Sequence, residues 1–135
     1  MKRINSVYLA GRYERRGELN VYRAELAQAG IEVTSRWLTN DPPAPVAELT
    51  DEHWQVLAQT DFDDVHRADA FVIFGEESRD GGGGRHSEFG MALAWGKPIV
   101  VVGRREHLFH RLAAVEIAAD WPTALSLLTG GAPRE

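Results

Sequence analysis

Glu88 follows a run of four glycines, Gly81 to Gly84, and opens an apolar stretch with helical spacing. That spacing predicts a helix over 87–95, stopped by Gly96 and Pro98, which sets Glu88 in the first turn. Free amide groups and the helix dipole favour an ionised carboxylate there, so Glu88 is expected to be charged and to face whatever the glycine loop admits. An acid in the first turn is also an ordinary helix-starting device, so position alone leaves a structural role open. Asp61 poses a sharper question. Trp54, Leu57, Ala58, Phe62 and Val65 form an apolar stripe at helical spacing, and position 61 falls on the same face. A carboxylate there either points into a polar cleft or sits at the margin of the stripe near the helix end. Tyr8, inside the first apolar run, either packs in the core with its hydroxyl on backbone or reaches across to a neighbouring loop.

Basic residues gather in two places. Arg12, Arg15 and Arg16 follow the first apolar run, and Arg79 and Arg85 flank the glycines. Either group would hold a small anion or form a solvated surface. The net charge of -5 argues against broad nucleic-acid binding, which needs a basic face to neutralise phosphates. Other motifs fail. Gly90 to Pro98 carries a GK pair with five residues before it, but the pair ends a helix where a phosphate loop begins one. GGGGRH lacks the last glycine of a dinucleotide fingerprint and follows the third strand rather than the first. His107 and His110 have no further ligand at metal spacing, so neither metal nor cofactor is expected.

The elements that position these residues alternate. Strands are predicted at Ser6 to Ala10, Ile31 to Ser35, Ala70 to Phe74, Ile99 to Val102 and Val115 to Ala118. Helices are predicted from about Glu14 to Ala29, from an N-cap at Thr50 to Arg67, over 87–95, and from Trp121 to Leu128. Gly30 stands where a left-handed cap belongs, and the prolines of Asn40 to Pro45 enforce a loop. Alternation with apolar strands implies one doubly wound α/β domain: about five parallel strands in the order 2-1-3-4-5, helices on both faces. Ligands of such folds bind beyond the carboxyl ends of the strands at the switch point. The turn from Gly11 to Arg16 and the loop from Gly75 to His86 therefore converge on the expected site.

At 135 residues the chain suits one domain, expected over 1–129, with 130–135 as a frayed tail. Apolar residues at 44% and charged residues at 26% exclude a disordered chain. The absence of cysteine excludes disulfides and thiolate chemistry. No signal peptide and no apolar run near membrane length are visible, so a soluble cytoplasmic protein is expected.

Three segments together resemble the nucleoside 2-deoxyribosyltransferase superfamily, which includes the 2'-deoxynucleoside 5'-phosphate N-hydrolases: VYLAGRY, DFDDVHRADAFVIF and GGRHSEFGMALAWGKPIVVVG. The last is the most specific, with its glycine-rich loop, E-x-G-x-A-x-A-x-G-K-P and apolar strand. The resemblance implies that Glu88 is the nucleophile, Tyr8 the tyrosine that orients it, and Asp61 the active-site aspartate. It implies a double displacement through a glycosyl ester, with Glu88 ionised and Asp61, its pKa raised, acting on the leaving base. Substrate contacts are expected at Gly11, Arg12, Arg16, Gly83, Gly84 and Ser87; Ser78, Asp80 and Ser87 are the candidates for the family's polar residue before the glutamate. The implied activity is transfer of a deoxyribosyl group between nucleobases. The alternatives are hydrolysis of a 5'-monophosphate, with Arg12, Arg15 or Arg16 on the phosphate, and a non-catalytic nucleotide sensor. A homodimer or higher homo-oligomer is implied, with Trp54 and Trp95 as anchors.

Overall fold

A computed structural model describes residues 3–77 and 83–130. Strands β1 (Ser6–Ala10), β2 (Glu32–Val33), β3 (Ala70–Phe74), β4 (Ile99–Val102) and β5 (Val115–Ala118) form one parallel sheet in the order β2-β1-β3-β4-β5. Register pairs Tyr8 with Phe71, Phe71 with Ile99 and Ile99 with Val115. Helices α1 (Arg16–Gln28), α2 (Asp51–Arg67), α3 (Gly83–Ala94) and α4 (Trp121–Leu128) complete the fold.

Side-chain alternation sorts the core into two layers. Val7, Leu9, Val72 and Phe74 pack with Leu19 and Leu26 of α1 and Trp121 of α4. Tyr8, Ala10, Phe71 and Ile73 pack with Val65 of α2 and Phe89 of α3. Because successive strand residues point to opposite faces, Tyr8 must face the α2 and α3 side. Cap chemistry ends α1 and α3 in the same way. Gly30 (φ 81°) and Gly96 (φ 71°) take the left-handed conformation, and the amides of Ile31 and Lys97 reach back to Leu26 and Ala92, at 2.9 and 3.0 Å. Thr50 caps α2 by accepting from the His53 amide at 3.2 Å.

Four boundaries and faces differ from the sequence expectation. β2 spans two residues rather than five. The Thr34 amide still donates to Val7 O (2.9 Å), but beyond it the Leu9 amide donates to Ser35 Oγ (2.7 Å) and Leu9 O accepts from Trp37 Nε1 (3.0 Å). Side chains thus take over the ladder. α1 starts at Arg16, after a 3-10 turn over Tyr13–Arg15. α3 begins at Gly83 rather than Ser87, so two glycines read as loop lie in the helix. The cause is tertiary: Arg85 is buried, donates to both carboxylate oxygens of Glu106 and lies 3.5 Å from Phe74 O, which anchors the first turn. On α2 the apolar stripe is the core face only in part: Val65 is buried and Leu57 half-buried. Trp54 and Phe62 are 49% and 40% exposed, whereas Asp64 and Val65 are buried. The inward face runs through positions 57, 61, 64, 65 and 68, one rotation step from the stripe.

Candidate active site

Beyond the carboxyl ends of β1 and β3 lies a cleft of about 440 Å³ bordered by Tyr8, Gly11, Arg12, Trp37, Asp61, Gly84 and Glu88, with Tyr13, Glu14 and Arg85 completing its lining. Its size suits a small metabolite. The fold builds it from three directions. β1 delivers Tyr8 and the turn at Gly11. The inward face of α2 delivers Asp61, and α3 delivers Gly84 and Glu88.

Tyr8 is fully buried and stacks on Phe71, with ring centroids 5.6 Å apart. It is a core residue, yet its hydroxyl finds a side chain and not backbone: it donates to Glu88 Oε2 at 3.0 Å. Burial, followed by the charge of Glu88, pushes the Tyr8 pKa well up. The phenol therefore stays protonated and remains a donor.

Glu88 departs from expectation in one respect. As the sixth residue of α3 it lies past the first turn, beyond the unpaired amides. Burial pushes its pKa up to about 8, the charge of Asp61 adds to the rise, and the Tyr8 hydrogen bond opposes it. The expectation of a carboxylate held ionised by a helix N-terminus is thus corrected. Asp61 has no hydrogen-bond or ion-pair partner among the described residues, and burial, then the neighbouring Asp64, pushes it up to about 6. Between about pH 6 and 8 the two carboxylates hold one proton between them.

Of the residues expected at substrate, Gly11, Arg12 and Gly84 border the cleft, but Arg16, Gly83 and Ser87 do not. Arg16 donates to Leu38 O at 3.1 and 3.2 Å and to Tyr13 Oη, so it ties the first loop to the segment after β2. Ser87 Oγ donates to Gly83 O at 3.3 Å, on the exposed side of α3. Ser78 and Asp80 lie outside the described residues. Among the described residues Arg12 has only a 3.8 Å pairing with Glu14. Arg15 is occupied by Glu18 and Glu76, at 2.7 and 3.0 Å.

Trp37, Tyr13 and Glu14 border the cleft without having been singled out. The signal for Trp37 was available, since the loop after β2 also lies at the carboxyl end of the sheet. Its indole proton is held by Leu9 O, which fixes the ring at the edge of the cleft.

A family model described as nucleoside 2-deoxyribosyltransferase matches residues 7–118. A 2-deoxyribosyltransferase from Bacillus psychrosaccharolyticus superposes with a TM-score of 0.71 at 17% identity, over 89% of this chain and 90% of that one. The Clostridium botulinum CMP N-glycosidase BcmB superposes with a TM-score of 0.61 at 22% identity, over 91% and 97%. At such identities the likeness carries the fold. No curated protein sequence matches the chain.

Proposed function

Because the chain belongs to the nucleoside 2-deoxyribosyltransferase family, we propose that it breaks the N-glycosidic bond of a 2'-deoxynucleoside through a glycosyl ester on Glu88. The deoxyribosyl group then passes to a second nucleobase. The observation that carries this reading is the 3.0 Å bond from the Tyr8 hydroxyl to Glu88 Oε2, in a cleft that also holds Asp61, which has no partner among the described residues.

Tyr8 engages Oε2 and leaves Oε1 to attack the anomeric carbon. As the bond from that carbon to the base nitrogen breaks, its electron pair leaves with the base, and positive charge develops on the sugar. That charge favours ionised Glu88, so the proton shared by the two carboxylates belongs on Asp61, where it can pass to the departing base. A second base, its proton returned to Asp61, then attacks the ester and frees Glu88. In the ligand-free site that proton sits on Glu88, the group with the higher pKa, so the step requires its transfer to Asp61 as the cation forms, and the ionised Glu88 that burial disfavours is then stabilised by the positive charge against it.

A second reading rests on Arg12. It borders the cleft with only a weak ion pair among the described residues, which suits a 5'-phosphate and thus hydrolysis of a nucleotide. We also propose that the chain assembles at least as a dimer, a reading supported by the exposed Trp54 and Trp95 on α2 and just after α3.

The test mixes pure protein with deoxyinosine and adenine and separates the products. Deoxyadenosine marks transfer, and free deoxyribose marks hydrolysis. Glu88→Ala is expected to lose about 10³-fold or more in kcat, and quenched wild type to carry a sugar adduct on Glu88. If no nucleoside or nucleotide is cleaved, and one binds wild type and Glu88→Ala equally, the chain is a nucleotide sensor and the nucleophile assignment is wrong.

A further inference from the structure

On the flank of α3 next to the cleft, three histidines from distant parts of the chain meet. His86 belongs to the first turns of α3, and His107 and His110 lie between β4 and β5. One ring nitrogen of each lies within 4.8 Å of one from each of the others. Ring centroids are 3.8 Å apart for His107 and His110 and 4.9 Å for His86 and His107. Each ring also carries a buried nitrogen without a hydrogen-bond partner among the described residues: His86 Nδ1, His107 Nδ1 and His110 Nε2. Buried ring nitrogens are ordinarily satisfied. Three clustered imidazoles, each with an unsatisfied ring nitrogen, are an arrangement that a single divalent cation can satisfy.

We propose that His86, His107 and His110 form a binding site for a transition-metal dication of the Zn2+ class, distinct from the cleft that holds Glu88. Imidazole nitrogens suit Zn2+, Cu2+ and Ni2+, whereas Mg2+ and Ca2+ prefer oxygen. Three protein ligands leave one tetrahedral position for water. Bonds of about 2.0 to 2.1 Å require nitrogens about 3.4 Å apart in a tetrahedral site, so the histidines must close by something over an ångström from their widest separation. His107 lies in an irregular loop, which can supply that movement.

The adjoining cavity, about 190 Å³, is lined by Glu76, Glu77 and Glu106 against Arg85 and Arg104, together with His86 and His107. One contact must yield. The Glu106 amide donates to His110 Nδ1 at 3.0 Å, which leaves the ring proton on Nε2. Coordination through Nε2 moves that proton to Nδ1, and the Glu106 amide turns away. No proton is lost overall.

The site would clamp the start of α3 to the segment between β4 and β5, two residues from Glu88. Its consequence is stability rather than chemistry. The experiment uses untagged full-length protein stripped with chelator, then titrated with Zn2+, Co2+ and Mg2+ by calorimetry and thermal melting. One equivalent of Zn2+ is expected, with Tm rising by roughly 10 °C at a hundredfold excess over Kd. Mg2+ should do neither, and Co2+ should give the intense visible bands of a tetrahedral nitrogen site. His86→Gln and His107→Gln, at half-buried positions that tolerate change, should each weaken Zn2+ by more than about 100-fold, since outer-shell changes alone cost 10- to 100-fold. Far-UV circular dichroism confirms that they fold. Absence of one-to-one Zn2+ binding by wild type overturns the proposal, as does binding that survives in both folded variants.

Discussion

Asp64 and Asp61 lie three residues apart on α2, both on the face turned toward the interior, yet they live in opposite surroundings. Asp64 is 0% exposed and accepts from the Arg36 amide and Nε at 2.9 Å each, and from Arg67 Nε at 3.3 Å. Its own carbonyl accepts from Thr34 Oγ1 at 2.8 Å. One helical turn earlier Asp61 borders the cleft with no such partner among the described residues and carries a pKa pushed up to about 6 by burial and by Asp64. A buried carboxylate surrounded by donors holds the structure together, here joining α2 to the segment after β2. One left without donors at the wall of a cleft has its interaction capacity free for a ligand.

Exchanging each acid for its amide gives the largest expected contrast. Asp61→Asn should lower kcat by about 10² to 10⁴, the range of a lost general acid, and should raise the unfolding free energy near neutral pH, because a carboxylate whose pKa is raised in the fold opposes folding when ionised. Asp64→Asn should instead destabilise by roughly 2 to 4 kcal/mol, because charge-assisted bonds at a buried site are lost. Urea unfolding beside steady-state kinetics separates them. If Asp61→Asn unfolds as readily as Asp64→Asn, the two acids do not differ in kind.

The arginines repeat the contrast one step down. Arg16 is held by Leu38 O and Tyr13, whereas Arg12 borders the cleft with a single 3.8 Å pairing among the described residues. If nucleotides are substrates, Arg12→Ala should raise KM for a 5'-monophosphate about 10- to 150-fold relative to the nucleoside. Arg16→Ala should leave that ratio alone and cost about 1 kcal/mol of stability. Equal KM effects of Arg12→Ala on both substrates would assign the cleft to nucleosides.

The smallest effect sharpens the carboxylate pair itself. With one proton needed across Asp61 and Glu88, kcat/KM should be bell-shaped. It should fall below about pH 6, where both are protonated, and above about pH 8, where both are ionised. Tyr8→Phe removes a bond that favours ionised Glu88, so the alkaline limb should move to higher pH. Asp61→Asn should abolish that limb and leave an acid limb below about pH 8, since the like charge that raises Glu88 is gone. A flat profile across this range would refute the shared proton.

The cleft was legible in part. Glu88, Tyr8 and Asp61 stand out by type and spacing, and each lies where the strand order brings the loops together. What misled was local reasoning about Glu88. A glycine run reads as loop from its backbone freedom, but Gly83 and Gly84 are helical because Arg85 is anchored on Glu106, 21 residues further along the chain. The metal-like histidine cluster was half visible as His107 and His110; His86 joins them only through the packing of α3 against the segment after β4.

Strand positions, strand order, caps at Gly30, Thr50 and Gly96, and the sidedness of Tyr8 follow from the sequence by itself, because apolar runs, turn residues and two-residue alternation are short-range properties. Tertiary structure decided the rest. It ended β2 early by supplying Ser35 Oγ and Trp37 Nε1 to Leu9, and it rotated the buried face of α2 away from Trp54 and Phe62 so that Asp64 joins Val65 inside. It also raised Glu88 to about 8 by burying it beside Asp61. Each of these depends on which groups from distant segments share a low-dielectric space, and no local pattern encodes that distance.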